Sequence, residues 1–188
     1  MSPQAVSYWL LPGPEAQVRL NQLSAQACEQ ISLGGEVCML PLHLTLYSHP
    51  LDADQPNSEG MAIDRLQQLA DGHQPVLLSA KAIEATESFT QSLVLRFNSE
   101  ALRELQPWLQ QLCLSSPNPL GYKLDPHVSL LYSQAPLECR RKLAKRLVPP
   151  TVPMLFERVS AVTHPLTINS PADIAACTTL QECSLLLS

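Results

Sequence analysis

Charged side chains are scarce in this chain of 188 residues, and acidic residues outnumber basic ones. Only 15% of the residues are charged, and 12 Lys and Arg against 17 Asp and Glu give a net charge of −5. Such a chain repels the phosphate backbone of long nucleic acid, so we expect no partner of that kind. A small phosphorylated ligand held by a few placed groups is compatible with this composition.

Long hydrophobic runs are also absent, although 45% of the residues are hydrophobic. No run approaches the roughly 18 residues that a membrane-spanning helix needs, so we expect no membrane contact. The first residues lack the basic segment that opens a secretory signal, and we expect a cytoplasmic monomer. The apolar content is near the globular average, which favours one folded domain over residues 1–188.

The motifs of several common sites are missing. The sequence has no glycine-rich phosphate loop, no G-x-S-x-G and no C-x-x-C. Its six cysteines are scattered and lack the spacing of a zinc site, so we expect reduced thiols, no metal and no cofactor. A disulfide framework is the alternative, because the number of cysteines is even.

Apolar periodicity predicts helices and strands in alternation. Helical spacing indicates helices over about 14–31, 59–71, 99–112 and 136–147. Alternating or apolar stretches indicate strands over about 6–11, 42–47, 76–86, 91–97, 127–132, 153–163 and 176–187. Ser99 is the expected N-cap of the third helix. We expect an α+β fold with mostly antiparallel strands.

A weak internal repeat is the most informative feature of the sequence. The tetrads HLTL, from His43, and HVSL, from His127, share the order His, apolar, hydroxyl, Leu. They lie about half a chain apart, and each falls in a predicted strand that follows a helix and a loop. Such a repeat indicates two similar units that face each other across a pseudo-twofold axis.

Strand geometry gives the tetrads a chemical meaning. Residues i and i+2 of a strand share a face, so His43 projects with Thr45, and His127 with Ser129. One neutral imidazole can take a proton from water and one imidazolium can give a proton to a leaving oxygen, since histidine titrates near neutral pH. Hydroxyl groups can donate to phosphoryl oxygens. These groups suffice for attack on a phosphodiester without a metal.

The paired tetrads resemble those of the two-histidine phosphoesterase superfamily, and within it the cyclic nucleotide phosphodiesterases of plant and yeast type. The opening SYWLLPGP and the tyrosine in HVSLLYS are similar to the same family. The resemblance implies a bilobed fold, with two antiparallel sheets and flanking helices around a central cleft. It also implies metal-free opening of nucleoside 2′,3′-cyclic phosphates to 2′-phosphates, or of ADP-ribose 1″,2″-cyclic phosphate to the 1″-phosphate.

The resemblance also implies a role for each matching residue. His43 and His127 would be the acid–base pair, with His43 as the acid and His127 as the base. Thr45 and Ser129 would bind the phosphoryl oxygens, and Tyr132 would be a further phosphate contact. Because the two tetrads are so alike, the sequence itself leaves the assignment of acid and base open.

Two aromatic side chains carry separate expectations. Tyr132 has the opposite strand parity to His127, so it reaches the site only if the strand ends or bulges after Leu130. Phe89 lies in a predicted hairpin loop, where its ring can stack on a nucleobase or anchor the loop to the core. The remaining histidines are expected to be surface or capping residues: His49, His73 and His164.

Three other functions stay open at this point. An RNA end-processing enzyme of the 2′-5′ RNA ligase type would use the same histidines on a more basic surface. A non-catalytic module would keep the cleft to bind a nucleotide or an RNA end. A scaffold in which the repeat is a coincidence would use neither tetrad. The expected partner in the first two cases is a small nucleotide or an RNA terminus.

Overall fold

A computed structural model describes residues 3–31, 37–51, 55, 57–116 and 122–186. The strands are β1 (Gln4–Pro12), β2 (Val37–Cys38), β3 (Leu44–Pro50), β4 (Val76–Leu78), β5 (Ala80–Glu84), β6 (Leu93–Phe97), β7 (His127–Ser133), β8 (Met154–Pro165) and β9 (Thr178–Ser184). The helices are α1 (Pro14–Ile31), α2 (Ser58–Gly72), α3 (Ser99–Ser115), α4 (Leu137–Ala144) and α5 (Pro171–Ala175), with a 3-10 turn at Phe89–Gln91. No helix in these ranges is long and apolar enough to cross a bilayer.

The strands form one antiparallel sheet. Its order is β4-β8-β1-β3-β7-β6-β5, with β9 added to β8 and β2 added to β7. The two halves join between β3 and β7, where Leu44 and Val128 are the one registered pair among the described residues. The two sheets that the resemblance implied are therefore two halves of one sheet. They separate beyond this pair, which leaves room for a cleft where β3 and β7 meet.

Strand β1 lies at the centre of one half and is buried on both faces, as its nearly continuous apolar sequence requires. Tyr8 and Leu10 belong to the main core, which the helices help to enclose. Trp9 and Leu11 point the other way and pack with Val162 in a second, smaller cluster. The face of β1 that carries Trp9 is the face that borders the cleft.

Residues 76–86, expected as one strand, are divided at Ser79. The first part, β4, pairs with β8, and the second part, β5, pairs with β6. Because β4 and β5 are at opposite ends of the strand order, the sheet curves back on itself at this residue. The strand is interrupted at Ser79 because its two parts pair with strands in different halves of the sheet.

Helix boundaries agree closely with the periodicity, with one change of cap. The expected N-cap of α3, Ser99, is instead the first helical residue. Asn98 is the N-cap, and its side chain accepts a hydrogen bond from the amide of Ala101 at 3.3 Å. Asparagine and serine are both good N-caps, so the sequence alone does not separate two adjacent candidates.

Candidate active site

The two tetrads meet at the junction between the halves of the sheet. His43 immediately precedes β3, and His127 is the first residue of β7. The antiparallel pair of Leu44 with Val128 therefore brings the two histidines to one place. Both histidines line a single cleft of about 290 Å³. That volume is near the lower end of the range for small-molecule sites.

The backbone holds both imidazoles in the same way. His43 Nδ1 lies 2.6 Å from the carbonyl oxygen of Pro41, and His127 Nδ1 lies 2.7 Å from that of Asp125. A carbonyl oxygen only accepts, so each Nδ1 carries the proton and donates it. In the neutral rings Nε2 is then the free acceptor. Nε2 is thus the atom through which each imidazole can exchange a proton with a ligand.

His43 is the more deeply desolvated of the two. Its exposed fraction is 8%, and Trp9 stacks on its ring with centroids 3.6 Å apart and planes 10° from parallel. Burial lowers the pKa of His43 to about 4, against the hydrogen bond to Pro41, and the charges of His127 and His164 act in the same direction as burial. His43 is therefore neutral near pH 7.

His127 has a carboxylate beside it, that of Asp125. No carboxylate is among the groups that shift the pKa of His43. Its Nδ1 lies 3.6 Å from Asp125 Oδ2, and Arg96 Nη1 donates to the same oxygen at 2.6 Å. Burial lowers the pKa of His127, and the charge of Arg96 adds to that effect. The hydrogen bond to the Asp125 carbonyl and the charge of the Asp125 carboxylate oppose the lowering in part, and the net shift is downward. Burial raises the pKa of the Asp125 carboxyl, yet Arg96 outweighs it and the net shift is downward. The carboxylate is thus held ionised next to one imidazole only.

A β-bulge brings Tyr132 to the same face as His127. Leu93 pairs with Leu131 but Val94 pairs with Ser129, so Leu130 is an extra residue in β7. The extra residue reverses the alternation, and Tyr132 lines the cleft although regular parity would turn it away. Its hydroxyl is buried, and burial raises the pKa of Tyr132 above its usual range, so it remains protonated.

Strand β3 has a bulge at the equivalent position. Tyr8 pairs with Tyr47 but Trp9 pairs with Thr45, so Leu46 is the extra residue. Leu46 follows His43 by three positions, as Leu130 follows His127. This bulge turns Ser48 into the cleft, in the place that Tyr132 has after the second tetrad. The two bulges lie at the same offset from their histidines, and each adds one residue to the set that lines the cleft.

The hydroxyls of the two tetrads lie in the same cleft. Thr45 and Ser129 both line it. Ser129 Oγ donates to the carbonyl oxygen of Thr90 at 2.8 Å, and the Tyr122 hydroxyl approaches the carbonyl oxygen of Thr45 at 3.5 Å. The cleft can therefore offer a small anion several hydroxyl donors.

Phe89 is near the site but is not among the residues that line it. It begins the 3-10 turn whose next residues, Thr90 and Gln91, do line the cleft. The ring of Phe89 is half-buried and lies with its centroid 6.1 Å from that of Tyr132. Phe89 thus packs behind a cleft residue at the edge of the site.

The sequence did not point to eleven of the residues that line the cleft, and two histidines are more buried than expected. Ser7, Trp9, Ser48 and His164 line the cleft. His164 and His49 were both expected as surface or capping residues, and their exposed fractions are 8% and 4%. Both end a strand beside β1, and packing around that central strand buries them. The alternation of β1 was the one available signal, since it places Ser7 and Trp9 on one face.

In the part of the chain that the structure describes, no group of three or more His, Cys, Asp or Glu is arranged to hold a metal ion. The cleft itself has no Asp, Glu, Lys or Arg among its described lining residues. Its side chains that can carry a positive charge are the imidazoles of His43, His127 and His164. The chemistry available here is proton exchange at imidazoles and hydrogen bonding from hydroxyls.

No protein-family model and no curated protein sequence matches this chain. Solved structures do match its fold. TT0787 of Thermus thermophilus aligns with a TM-score of 0.59 at 17% identity, over 96% of this chain and 97% of that one. E. coli LigT complexed with 3′-AMP aligns with a TM-score of 0.56 at 15% identity, over 100% of both chains. Kluyveromyces marxianus Usb1 aligns with a TM-score of 0.55 at 14% identity, over 94% of this chain and 97% of that one.

The neighbours named LigT and Usb1 are two-histidine phosphoesterases. Identities below one in five establish a common fold rather than a common substrate. The α+β class expected from periodicity is confirmed, and the resemblance carried by the tetrads is confirmed at the level of the fold. This chain has the fold of the two-histidine phosphoesterase superfamily.

Proposed function

We propose that the protein is a phosphoesterase that opens ribose cyclic phosphates by two-histidine acid–base catalysis without a metal. The substrate would be a nucleoside 2′,3′-cyclic phosphate, opened to the 2′-phosphate, or ADP-ribose 1″,2″-cyclic phosphate, opened to the 1″-phosphate. The observation that carries the proposal is the meeting of His43 and His127 in one cleft, each with Nδ1 bound to the backbone. Structures of E. coli LigT with 3′-AMP and with ATP support a nucleotide as the class of ligand.

The surroundings of the histidines support one assignment of their roles. His43 is held neutral by burial, so it would be the base that takes a proton from the attacking water through Nε2. His127 has Asp125 to stabilise its imidazolium, so it would be the acid that protonates the leaving 3′-oxygen. This assignment is the reverse of the one that the family resemblance implies.

In the proposed reaction the water oxygen forms a bond to phosphorus and the bond from phosphorus to the 3′-oxygen breaks. One proton passes from water to His43 and one passes from His127 to the 3′-oxygen. Charge accumulates on the non-bridging oxygens, where Thr45, Ser129 and Tyr132 would donate hydrogen bonds. The Ser129 hydroxyl would exchange its bond to the Thr90 carbonyl for one to the phosphoryl group.

Phe89 keeps a supporting role in the proposal. A nucleobase that leaves the cleft past Thr90 would reach the ring of Phe89, which adjoins Tyr132. Stacking there would contribute on the order of 1 kcal/mol or more to nucleotide binding. The same contact also braces the Tyr132 ring, so the two roles are compatible.

The proposal is tested by hydrolysis of 2′,3′-cyclic AMP in EDTA, with 2′-AMP separated from 3′-AMP. The variants His43→Asn and His127→Asn keep a donor near the Nδ1 position and remove Nε2. Each should lower kcat by about 10²–10⁴-fold while thermal unfolding shows a folded protein. His73→Asn is the matched control, because His73 stacks on Trp108 and does not line the cleft. Activity that EDTA abolishes, or that survives both substitutions, would refute the mechanism.

An RNA terminus is the second candidate substrate. A short RNA that ends in a 2′,3′-cyclic phosphate presents the same reacting group, and the same histidines would act on it. If the RNA is turned over far better than 2′,3′-cyclic AMP, the protein is an RNA end-processing enzyme. If it binds both and turns over neither, it is a binding module that kept the cleft.

A further inference from the structure

A third histidine shares the cleft with the two tetrads and has a serine as its partner. Ser7 Oγ lies 2.7 Å from His164 Nε2, and both side chains are buried and line the cleft. His164 Nδ1 lies 2.8 Å from the carbonyl oxygen of Pro165, so Nδ1 donates there and Nε2 accepts from Ser7. The tetrads account for neither residue.

His164 has a counterpart in His49 on the opposite side of β1. Both are followed by proline, both end a strand beside β1, and both place Nδ1 at 2.8 Å from the carbonyl oxygen of that proline. On β1, His164 pairs with Ala5 and His49 pairs with Val6. Successive residues of a strand face opposite sides, so one histidine points to the cleft and the other to the core. The two histidines therefore have the same local backbone arrangement, but only His164 lies in the cleft.

The groups around His164 suit an anion. Ser48 of β3 is registered with Ser7, so two hydroxyls lie side by side beside the imidazole. No carboxylate is among the described residues that line the cleft.

Few titratable groups lie near Ser7, Ser48 and His164. His43 interacts electrostatically with His164, from the segment before β3. From the side of α5, burial raises the pKa of Cys177 to about 11, so its thiol is neutral. The Asp173 carboxylate is turned to Ser170 and the backbone of Asn169. Burial lowers the pKa of His164, so its imidazole is neutral until an anion favours the protonated form. An anion that enters can therefore be met by the hydroxyls of Ser7 and Ser48 and by a proton taken up at His164.

The spacing of residues along β1 relates the site of Ser7 and His164 to the expected position of the cyclic phosphate. Trp9, which stacks on His43, and Ser7 are alternate residues of β1, about 6.6 Å apart along the strand. A nucleotide places its 5′-phosphoryl group one ribose away from a 2′,3′-cyclic phosphate, which is a separation of the same order. We propose that Ser7, Ser48 and His164 form a subsite for the phosphoryl group at the 5′ position of the ribose that bears the cyclic phosphate. This inference rests on the proposed function and narrows its substrate class.

The test compares adenosine 2′,3′-cyclic phosphate with the same compound carrying a 5′-phosphate. The full chain should prefer the 5′-phosphorylated substrate in kcat/KM by about tenfold or more, because charge-assisted hydrogen bonds are stronger than neutral ones. In His164→Asn and Ser7→Ala the ratio of the two kcat/KM values should fall to about one. His49→Asn makes the same chemical change on the opposite face and should keep the preference. Equal turnover by the unsubstituted protein, or a ratio unchanged by His164→Asn, overturns the subsite.

A binding measurement separates failure of the subsite from failure of the proposed function. Titration calorimetry compares adenosine 2′,5′-bisphosphate with 2′-AMP, which differ only in the 5′-phosphate. The bisphosphate should bind about tenfold more tightly, and His164→Asn should remove the difference. If neither cyclic phosphate is hydrolysed but this difference is present, the reaction is wrong and the subsite stands. Equal affinities overturn the subsite whatever the turnover.

A dinucleotide that ends in a 2′,3′-cyclic phosphate identifies the source of the second phosphoryl group. It carries that group as an internucleotide diester, whereas the mononucleotide carries it as a monoester. A higher kcat/KM for the dinucleotide assigns the subsite to RNA ends. A higher kcat/KM for the mononucleotide assigns it to free nucleotides. Turnover of both at the rate of the compound without a 5′-phosphate refutes the subsite.

Discussion

The indole of Trp9 lies flat on the imidazole of His43, with ring centroids 3.6 Å apart and planes 10° from parallel. The contact covers one face of the imidazole, while the bond from Nδ1 to the Pro41 carbonyl fixes its edge. His43 is thus held in one orientation and shielded from water before any ligand binds. Such preorganisation lowers the cost of reaching a reactive geometry.

We first predict that Trp9→Ala lowers kcat by about tenfold or more, because His43 becomes free to turn away from the attacking water. Admission of water should also raise the pKa of His43 from about 4 towards its ordinary value. Trp9→Phe keeps a stacked ring and should retain most of the activity. An NMR titration of the imidazole and a steady-state assay check both effects. A pKa of His43 that is the same in Trp9→Ala would contradict this role of the indole.

Second, Asp125→Asn should move the alkaline limb of the pH–rate profile to lower pH by roughly one unit. The carboxylate stabilises protonated His127, so its removal lowers the pKa of that imidazole and the acid is lost earlier as pH rises. Glu84→Gln is the matched control, since Glu84 also pairs with Arg96 but is not among the groups that shift the pKa of His127. A profile that moves equally in both variants would assign the effect to Arg96 instead.

Third, stability should fall as the pH drops from about 6.5 to about 4. Burial lowers the pKa of folded His43 to about 4, so below pH 6.5 the unfolded chain takes up a proton there that the folded chain does not. At pH 4.5 this group alone should reduce the free energy of unfolding by about 2 to 3 kcal/mol. Urea denaturation at pH 7 and pH 4.5 measures the loss. His43→Asn should show a loss smaller by that amount, and an identical loss would refute the assignment.

Fourth, Arg140→Met should destabilise the fold by about 3 to 5 kcal/mol. The buried guanidinium donates to the carbonyl oxygens of Thr86, Ser92 and Ala135, which ties α4 to the residues on both sides of the 3-10 turn. Methionine fills the volume but leaves these acceptors without the donor. Arg141→Met is the control, because its exposed pair with Glu138 contributes little. Chemical denaturation of the two variants should differ by several kcal/mol, and equal values would show that water replaces the guanidinium.

The local order of helices and strands and the four tetrad residues were readable in the sequence. Apolar periodicity reports on local conformation, and its elements agree with β3, β7, α1 and α2 to within a few residues. The shared pattern of the tetrads also gave the correct fold family, because two hydroxyl–histidine pairs at matching places in strands are rare by chance. These features depend on neighbours in the chain, so the chain alone carries them.

The tertiary structure decided the rest, because register and burial depend on segments far away in the chain. Pairing with β6 places the bulge at Leu130 that brings Tyr132 into the cleft, and no residue of β7 alone specifies that partner. Packing around β1 buries His164 beside Ser7, where the sequence suggested a surface histidine. Two nearly identical tetrads also acquire different electrostatics, because the stacked ring covers only His43 and Asp125 adjoins only His127. The sequence determined which groups are present at the site, and folding determined what each of them can do.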